Sequence, residues 1–404
     1  MISFEPSEDQ QLIVSTVAEF AKTTLAPRER EFEKARGLPA DVRKAAQEMG
    51  LAGALVPEAL GGQGLGLLTA LLINEELAYG SASAVYALPG FGAFFLAALE
   101  LGSDEQAGAL LAPYLAPEAH DRFGAVAWSE KAPNRDGPGF VTTAKKTADG
   151  WELVGQKSFI GNARLADTFI VFAQVDAKAG WSGIGAFVVR KDNPGLKVGP
   201  RHDTLGLECA EFGEITLESA KVSASDRIDG RGDFTAATLR FFTKYSLLIA
   251  ARQVGLARSA FDIAREYCDI RKAFGKPIGH FQAIAFTLAD RHIDAESARD
   301  MCRRAAWAWD AGKDEKLALL WSAQAIAHSH EVAMRCSDDA VQLHGGAGFM
   351  RDVIVEKQMR DAKQIALTGA TAEQMDQLAA ALEIGGPLDP ALVLPTPETQ
   401  AVFT

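Results

Sequence analysis

Apolar positions recur at helical spacing at both ends of the chain and alternate in the middle. Residues 9–26, 40–50, 67–79 and 106–115 are helix-length runs separated by Gly/Pro punctuation. From about Phe123 to Ile228 short alternating runs replace them. Residues 141–148 and 151–159 flank Asp149-Gly150, a hairpin-turn signal, and residues 168–175, 184–190 and 212–217 also predict strands. Helical period returns from about Phe234. Leu247, Ala250, Val254, Ala257, Phe261, Ala264 and Cys268 step by three and four, the seam of a long bundle helix. Further helices are predicted near 281–311, 314–343 and 353–366, with a short one after Thr371. The pattern predicts an α+β multidomain chain: an N-terminal α-helical domain over 1–121, a middle β domain over 122–230, a helical bundle over 231–385 and an extended tail over 386–404.

Composition narrows the function class. The chain has 404 residues, 48% hydrophobic and 23% charged, which describes a soluble globular protein with more than one core. A net charge of -12 argues against nucleic acid, because phosphate binding needs a concentrated basic surface. The start of the chain lacks a basic region followed by an apolar run, and the most apolar windows are too short for a membrane span. The expectation is therefore a cytoplasmic protein with no membrane segment. Cys209, Cys268, Cys302 and Cys336 are widely spaced and read as reduced, buried thiols. His328 and His330 lie two apart and cannot share a helical face as a metal pair. The glycines of Gly61–Gly66 follow no β-branched strand, so an interhelix turn is preferred to a dinucleotide loop.

Several motifs carry chemistry. Arg271-Lys272-Ala273-Phe274-Gly275-Lys276-Pro277, followed by Phe281-Gln282, places a guanidinium where it can clamp phosphate oxygens, although a solvated basic turn would look the same alone. In Gln342-Leu343-His344-Gly345-Gly346-Ala347-Gly348 the glycines allow backbone amides to approach a phosphate or ribose, or they end a helix. His344 beside them reads as structural. Thr371-Ala372-Glu373-Gln374 has the capping-box form. Arg360-Asp361-Ala362-Lys363 precedes it. Taken together and in this order, the motifs and the helical, β, helical arrangement resemble the acyl-CoA dehydrogenase family over nearly the whole chain. The resemblance implies a middle β-barrel-like domain, a C-terminal four-helix bundle, FAD as cofactor and a tetramer, homomeric or heteromeric. It assigns Ser129, Phe159, Arg271, Phe274, Gln282, Gln342, Gly345, Gly346, Thr371 and Glu373 to the cofactor, with Arg271 meeting the pyrophosphate of a neighbouring subunit.

The chain departs from the family at the reaction site. The position of the catalytic glutamate, next to Thr368, holds Gly369, which cannot accept a proton. The alternative base position on the bundle helix holds Tyr245, and the CoA-holding arginine after it is Ser246. Phe242, a pantetheine-packing position, is retained. The Gly-Ser pair lining the acyl-CoA channel is Asn134-Arg135, where Arg135 grips an anionic ligand or is simply solvated. The tryptophan beside the flavin is Phe159, and the threonine that donates to flavin N5 is Gly161. Arg135, Phe242, Tyr245, Thr368 and Gly369 thus form the expected substrate pocket. No catalytic base is named.

Three readings remain. The first is α,β-dehydrogenation of an acyl thioester with a nonstandard proton acceptor, electrons passing to an electron-transferring flavoprotein or similar acceptor. The second is a base-less subunit of a heteromeric acyl-CoA dehydrogenase. The third is a flavin-dependent monooxygenase on the same fold, which needs no α-proton base.

Overall fold

The computed structural model describes residues 6–132, 134, 137–228, 230 and 232–385. Arg135 and the tail expected over 386–404 lie outside the described residues. The N-terminal part holds six α-helices among the described residues: α1 (Glu8–Phe20), α2 (Glu29–Ala35), α3 (Ala40–Glu48), α4 (Gly66–Ala87), α5 (Ala93–Leu101) and α6 (Asp104–Leu115). Ser7 and Gln10 form a capping box that starts α1, and Ser103 and Gln106 do the same for α6. The pattern over 9–26 predicts one helix. It is instead α1 followed by a π turn over Ala21–Leu25. The Gly-rich stretch between α3 and α4 is a turn, as its context predicts, and the Asp310 carboxylate accepts from the Leu67 and Leu68 amides at the start of α4.

Two elements run beyond their predicted limits. The sequence pattern stops a helix at Tyr79, and α4 does break nearby, at Ser81 (φ -163°, ψ 104°). The Ser81 hydroxyl accepts from the Ala84 amide and restarts the helix, which carries Tyr86 inward. Residues of α5 are apolar almost throughout, so they show no period and were not predicted as a helix.

The middle part is an eight-stranded mixed sheet: β1 (Phe123–Ala127), β2 (Thr143–Lys146), β3 (Gly150–Ile160), β4 (Ala166–Gln174), β5 (Ile184–Arg190), β6 (Leu196–Arg201), β7 (Gly213–Ser223) and β8 (Arg227–Ile228). Its order is β6-β7-β3-β2-β4-β5-β8, with β1 parallel to β4. The predicted hairpin at Asp149-Gly150 joins β2 and β3. β6, with Gly199 and Pro200 inside it, is an edge strand that alternation does not reveal.

The C-terminal part begins with α7 (Phe234–Ile270), whose Asp233 cap accepts from two backbone amides. A two-stranded hairpin, β9 (Lys272–Ala273) and β10 (Lys276–Pro277), leads to α8 (Gln282–Asp310), α9 (Glu315–His344), α10 (Val355–Ile365) and α11 (Ala372–Ile384). α7 packs against α4 on one face and against α8 and α9 on others, so it is buried nearly all round in its middle. Gln253 meets His330 and Tyr267 stacks on His344, so α7 and α9 run in the same direction.

Arg360 and Asp361 tie the three parts together. Arg360 pairs with Glu33 at 2.7 Å and Glu356 at 2.8 Å, and donates to the Leu205 carbonyl at 3.2 Å. Asp361 accepts from the Leu207 amide at 2.6 Å and pairs with the buried Lys357, which also meets Glu29 at 3.1 Å. Burial works against the Lys357 ammonium, but Asp361 and Glu29 outweigh it and hold its pKa above the ordinary range.

Candidate active site

A cavity of about 750 Å³ opens where α4, β1, β3, α7 and the 366–371 loop converge. It brings together Ser129, Phe159, Phe242, Tyr245, Thr368, Gly369 and Thr371, all singled out in the sequence.

One wall is built by an irregularity in β3. Pairing with β7 shifts register between Lys157 and Ile160, and Phe159 sits in that bulge at φ 59°. A bulge re-aims side chains out of a ladder. Phe159 is accordingly 59% exposed and faces the cavity, while its neighbours Lys157 and Ser158 are buried. The segment that carries Ser129 is pinned beside it. The Ser158 amide donates to the Ser129 carbonyl, and the Lys157 ammonium donates to the Trp128 carbonyl at 2.8 Å and pairs with Glu130 at 3.0 Å. Glu130 in turn accepts from the Val141 and Thr142 amides. The Trp128 ring meets Phe242 of α7 edge-on at 4.3 Å, which joins the sheet to the bundle.

The opposite end is the 366–371 loop. Gly369 has φ 69°, and a Cβ there would lie 2.7 Å from Ile249 Cδ1 and 2.9 Å from Ser246 Oγ. A longer side chain there would strain the left-handed backbone and push the Ile249 and Ser246 side-chain ends aside. Buried groups fix the loop. The Ala370 amide donates to Ser246 Oγ at 3.0 Å. Gln253 donates to Nδ1 of His330, so Nε2 carries the proton and donates to the Ala370 carbonyl at 3.1 Å. Burial lowers the His330 pKa to about 4, which keeps the ring neutral and in this tautomer. Thr368 donates to the Ile365 carbonyl, so the Tyr86 hydroxyl donates to Thr368 Oγ1 at 3.0 Å. Burial pushes the Tyr86 phenol up to about 12 and raises that of Tyr245 as well. Thr371 caps α11 through the predicted capping box, and Thr371 and Gln374 both line the cavity.

The remaining predicted cofactor residues lie elsewhere. Arg271, Phe274, Gln282, Gln342, Gly345 and Gly346 are all exposed at the far end of the parallel helices α7 and α9. Tyr245 and Arg271 are separated by roughly 39 Å of helix at ~1.5 Å per residue. Phe274 and Gly275 form the two-residue turn of the β9–β10 hairpin at φ 51° and 84°, and Phe274 is 96% exposed. The Arg271 side chain has no hydrogen bond or ion pair among the described residues. Glu373 is exposed on α11 and does not line the cavity.

Sequence models of three domains match in order: the acyl-CoA dehydrogenase N-terminal domain over residues 7–118, the middle domain over 125–220 and the C-terminal domain over 234–383. The chain belongs to the acyl-CoA dehydrogenase family. Its relatives in this family include cyclohex-1-ene-1-carbonyl-CoA dehydrogenase of Geobacter metallireducens, 34% identical over 88% of this chain and 93% of that one. Among solved structures, butyryl-CoA dehydrogenase from Megasphaera elsdenii is similar with a TM-score of 0.86 at 30% identity, covering 95% of this chain and 100% of the other. The prolyl acyl carrier protein oxidase AnaB also has a TM-score of 0.86, at 27% identity over 94% of this chain and 100% of the other. The acyl-CoA dehydrogenase family is a family of FAD-dependent oxidoreductases. No helix among the described residues is long and apolar enough to cross a membrane.

The cavity suits a ring with an apolar face and a polar edge. Alongside the Phe159 wall, Ser158 Oγ, Asn162 Oδ1 and His202 Nε2 belong to cavity-lining residues and have no hydrogen-bond partner among the described residues. Sequence reasoning missed Tyr86, Ser158 and His202 as cavity residues. Tyr86 lies beyond the break at Ser81, and His202 follows the unpredicted strand β6. It also missed His330 as a clamp on the loop, because no local pattern links α9 to Ala370.

Proposed function

We propose that this chain is an FAD-dependent dehydrogenase of an acyl thioester whose α-proton leaves to a group other than residue 369. The observation that supports this reading is the one cavity joining the flavin-side positions Ser129 and Phe159 to the substrate-side positions Phe242, Tyr245 and Thr368. FAD, when bound, supplies the hydride acceptor of the family's chemistry. Ser129 and Phe159 would hold its ring, with Thr371 beside them. Arg271, Phe274, Gln282, Gln342, Gly345 and Gly346 would hold the dinucleotide end of a flavin in a neighbouring subunit, since they lie far from their own cavity. In the reaction the Cβ–H bond would break with its electron pair, the Cα–H bond would give its proton to a bound water, and a C=C bond would form. Phe242 packs the chain of the thioester, and Tyr245 and Thr368 present hydroxyls at the end where the family carboxylate is absent. The two electrons then pass to an electron-transferring flavoprotein or similar acceptor.

A second reading, the base-less subunit of a heteromeric enzyme, is favoured by the clamped Gly369 together with the distant Arg271 cluster. Anaerobic mixing of the FAD-loaded protein with an acyl-CoA panel separates the two. Bleaching of the flavin by any thioester supports the dehydrogenase. A chain that takes up FAD only with a coexpressed homologue supports the second reading. A chain that holds FAD alone and is bleached by no thioester overturns both.

A further inference from the structure

Arg252 is the largest fully buried side chain of the described residues, 1% exposed, and it has no carboxylate partner. Its Nε donates to Asn74 Oδ1 at 2.8 Å and its Nη2 to the Phe91 carbonyl at 2.6 Å. Its Nη1 is buried and makes no hydrogen bond of good geometry, with the neutral Tyr86 and Tyr245 phenols as its neighbours. The nearby carboxylates are committed elsewhere: Glu75 pairs with Arg258 and Arg299, and Glu76 with Arg258. A buried cation whose partners are all neutral is costly unless an anion joins it. The cavity lies next to it. The guanidinium carbon is 4.5 Å from the centroid of the Tyr86 ring, and Tyr86 lines the cavity. Tyr245, also lining it, is seven residues earlier on α7, two turns away on the same face. Neither phenol supplies the missing negative charge at neutral pH, because burial raises both.

We propose that the α4–α7 end of the cavity is an anion-recognition site, formed by Arg252 behind Tyr86 and Tyr245, for an acyl thioester whose acyl chain ends in a carboxylate. This rests on the thioester reading above and specifies its substrate class. A neutral chain of the same length leaves the cation uncompensated, whereas a terminal carboxylate meets the Tyr245 hydroxyl with the guanidinium behind it.

Calorimetric titration of the FAD-loaded protein tests this. Succinyl-, glutaryl- and adipyl-CoA are compared with butanoyl-, pentanoyl- and hexanoyl-CoA. At least one carboxylated thioester is expected to bind tenfold or more tighter than its neutral counterpart. Arg252→Gln should abolish that preference and Arg252→Lys should retain part of it. Equal or tighter binding of every neutral thioester to the unaltered protein overturns the proposal without any variant, and so does a preference that survives in a folded Arg252→Gln protein. Should Arg252→Gln fail to fold, Tyr245→Phe must weaken the preference. Binding and flavin bleaching by neutral thioesters alone would remove the anion site and leave the dehydrogenase reading. Binding of no thioester removes both.

Discussion

By the sequence resemblance Gly369 stands at the family's glutamate position, and its surroundings bear on what that position can hold. Its φ of 69° strains any residue with a Cβ, and the Ser246 Oγ and Ile249 Cδ1 atoms would have to shift to admit one. Gly369→Glu is therefore expected to destabilise the fold by about 1–3 kcal/mol, chiefly from backbone strain, measured by urea unfolding. An unchanged midpoint would show that the loop relaxes easily. A glycine in place of the expected carboxylate is what the sequence over residues 360–371 suggests by resemblance. The clamp is not legible in the sequence, because Ser246 reads there only as a lost arginine, whereas its hydroxyl now accepts the Ala370 amide. Removing that acceptor in Ser246→Ala leaves a buried amide unpaired, at an expected cost of about 1–3 kcal/mol in the same assay.

At the scale of elements, the 366–371 loop depends on α9 through a neutral histidine. The His330 pKa falls from its ordinary 6.5 in the unfolded chain to about 4 when burial surrounds it. A depressed pKa means that the unfolded chain binds the proton first. This contribution is complete above pH 6.5 and is lost progressively as pH falls toward about 4. Its size is ~3 kcal/mol. Unfolding free energies measured across that window should fall more steeply for the unaltered protein than for His330→Gln, and parallel slopes would contradict the assignment. The elements themselves were read well where one seam or a turn signal dominates, as in α7, α9 and the β2–β3 hairpin. They were read poorly where burial is continuous. α5 has no polar face, and α7 has a second buried face along Tyr245, Ile249, Arg252 and Leu256 that a single-seam reading cannot show. Arg252 was hidden for that reason.

For the whole molecule, the flavin motifs divide into a cavity set and a distal set at opposite ends of α7. The sequence resemblance gives Arg271 to a neighbouring subunit, an expectation compatible with this separation. The spacing along the helix gives that expectation a physical basis, because one chain cannot bring both sets to one ligand. Arg271→Ala is expected to leave the unfolding free energy of the FAD-free protein within about 0.5 kcal/mol, since the side chain has no partner among the described residues. The same change should weaken FAD binding by tenfold or more, read by equilibrium dialysis. Unaltered FAD affinity would argue against a shared site.

The central claim is that the flavin side of the cavity is retained while the reaction end works without a carboxylate at residue 369. The most direct measurement is the rate of anaerobic flavin bleaching by carboxylated and neutral acyl-CoAs, in the unaltered protein beside Gly369→Glu. The account predicts bleaching of the unaltered protein by at least one thioester, and no faster bleaching of the variant. An unaltered protein that stays oxidised beside a Gly369→Glu variant that is rapidly bleached would contradict it.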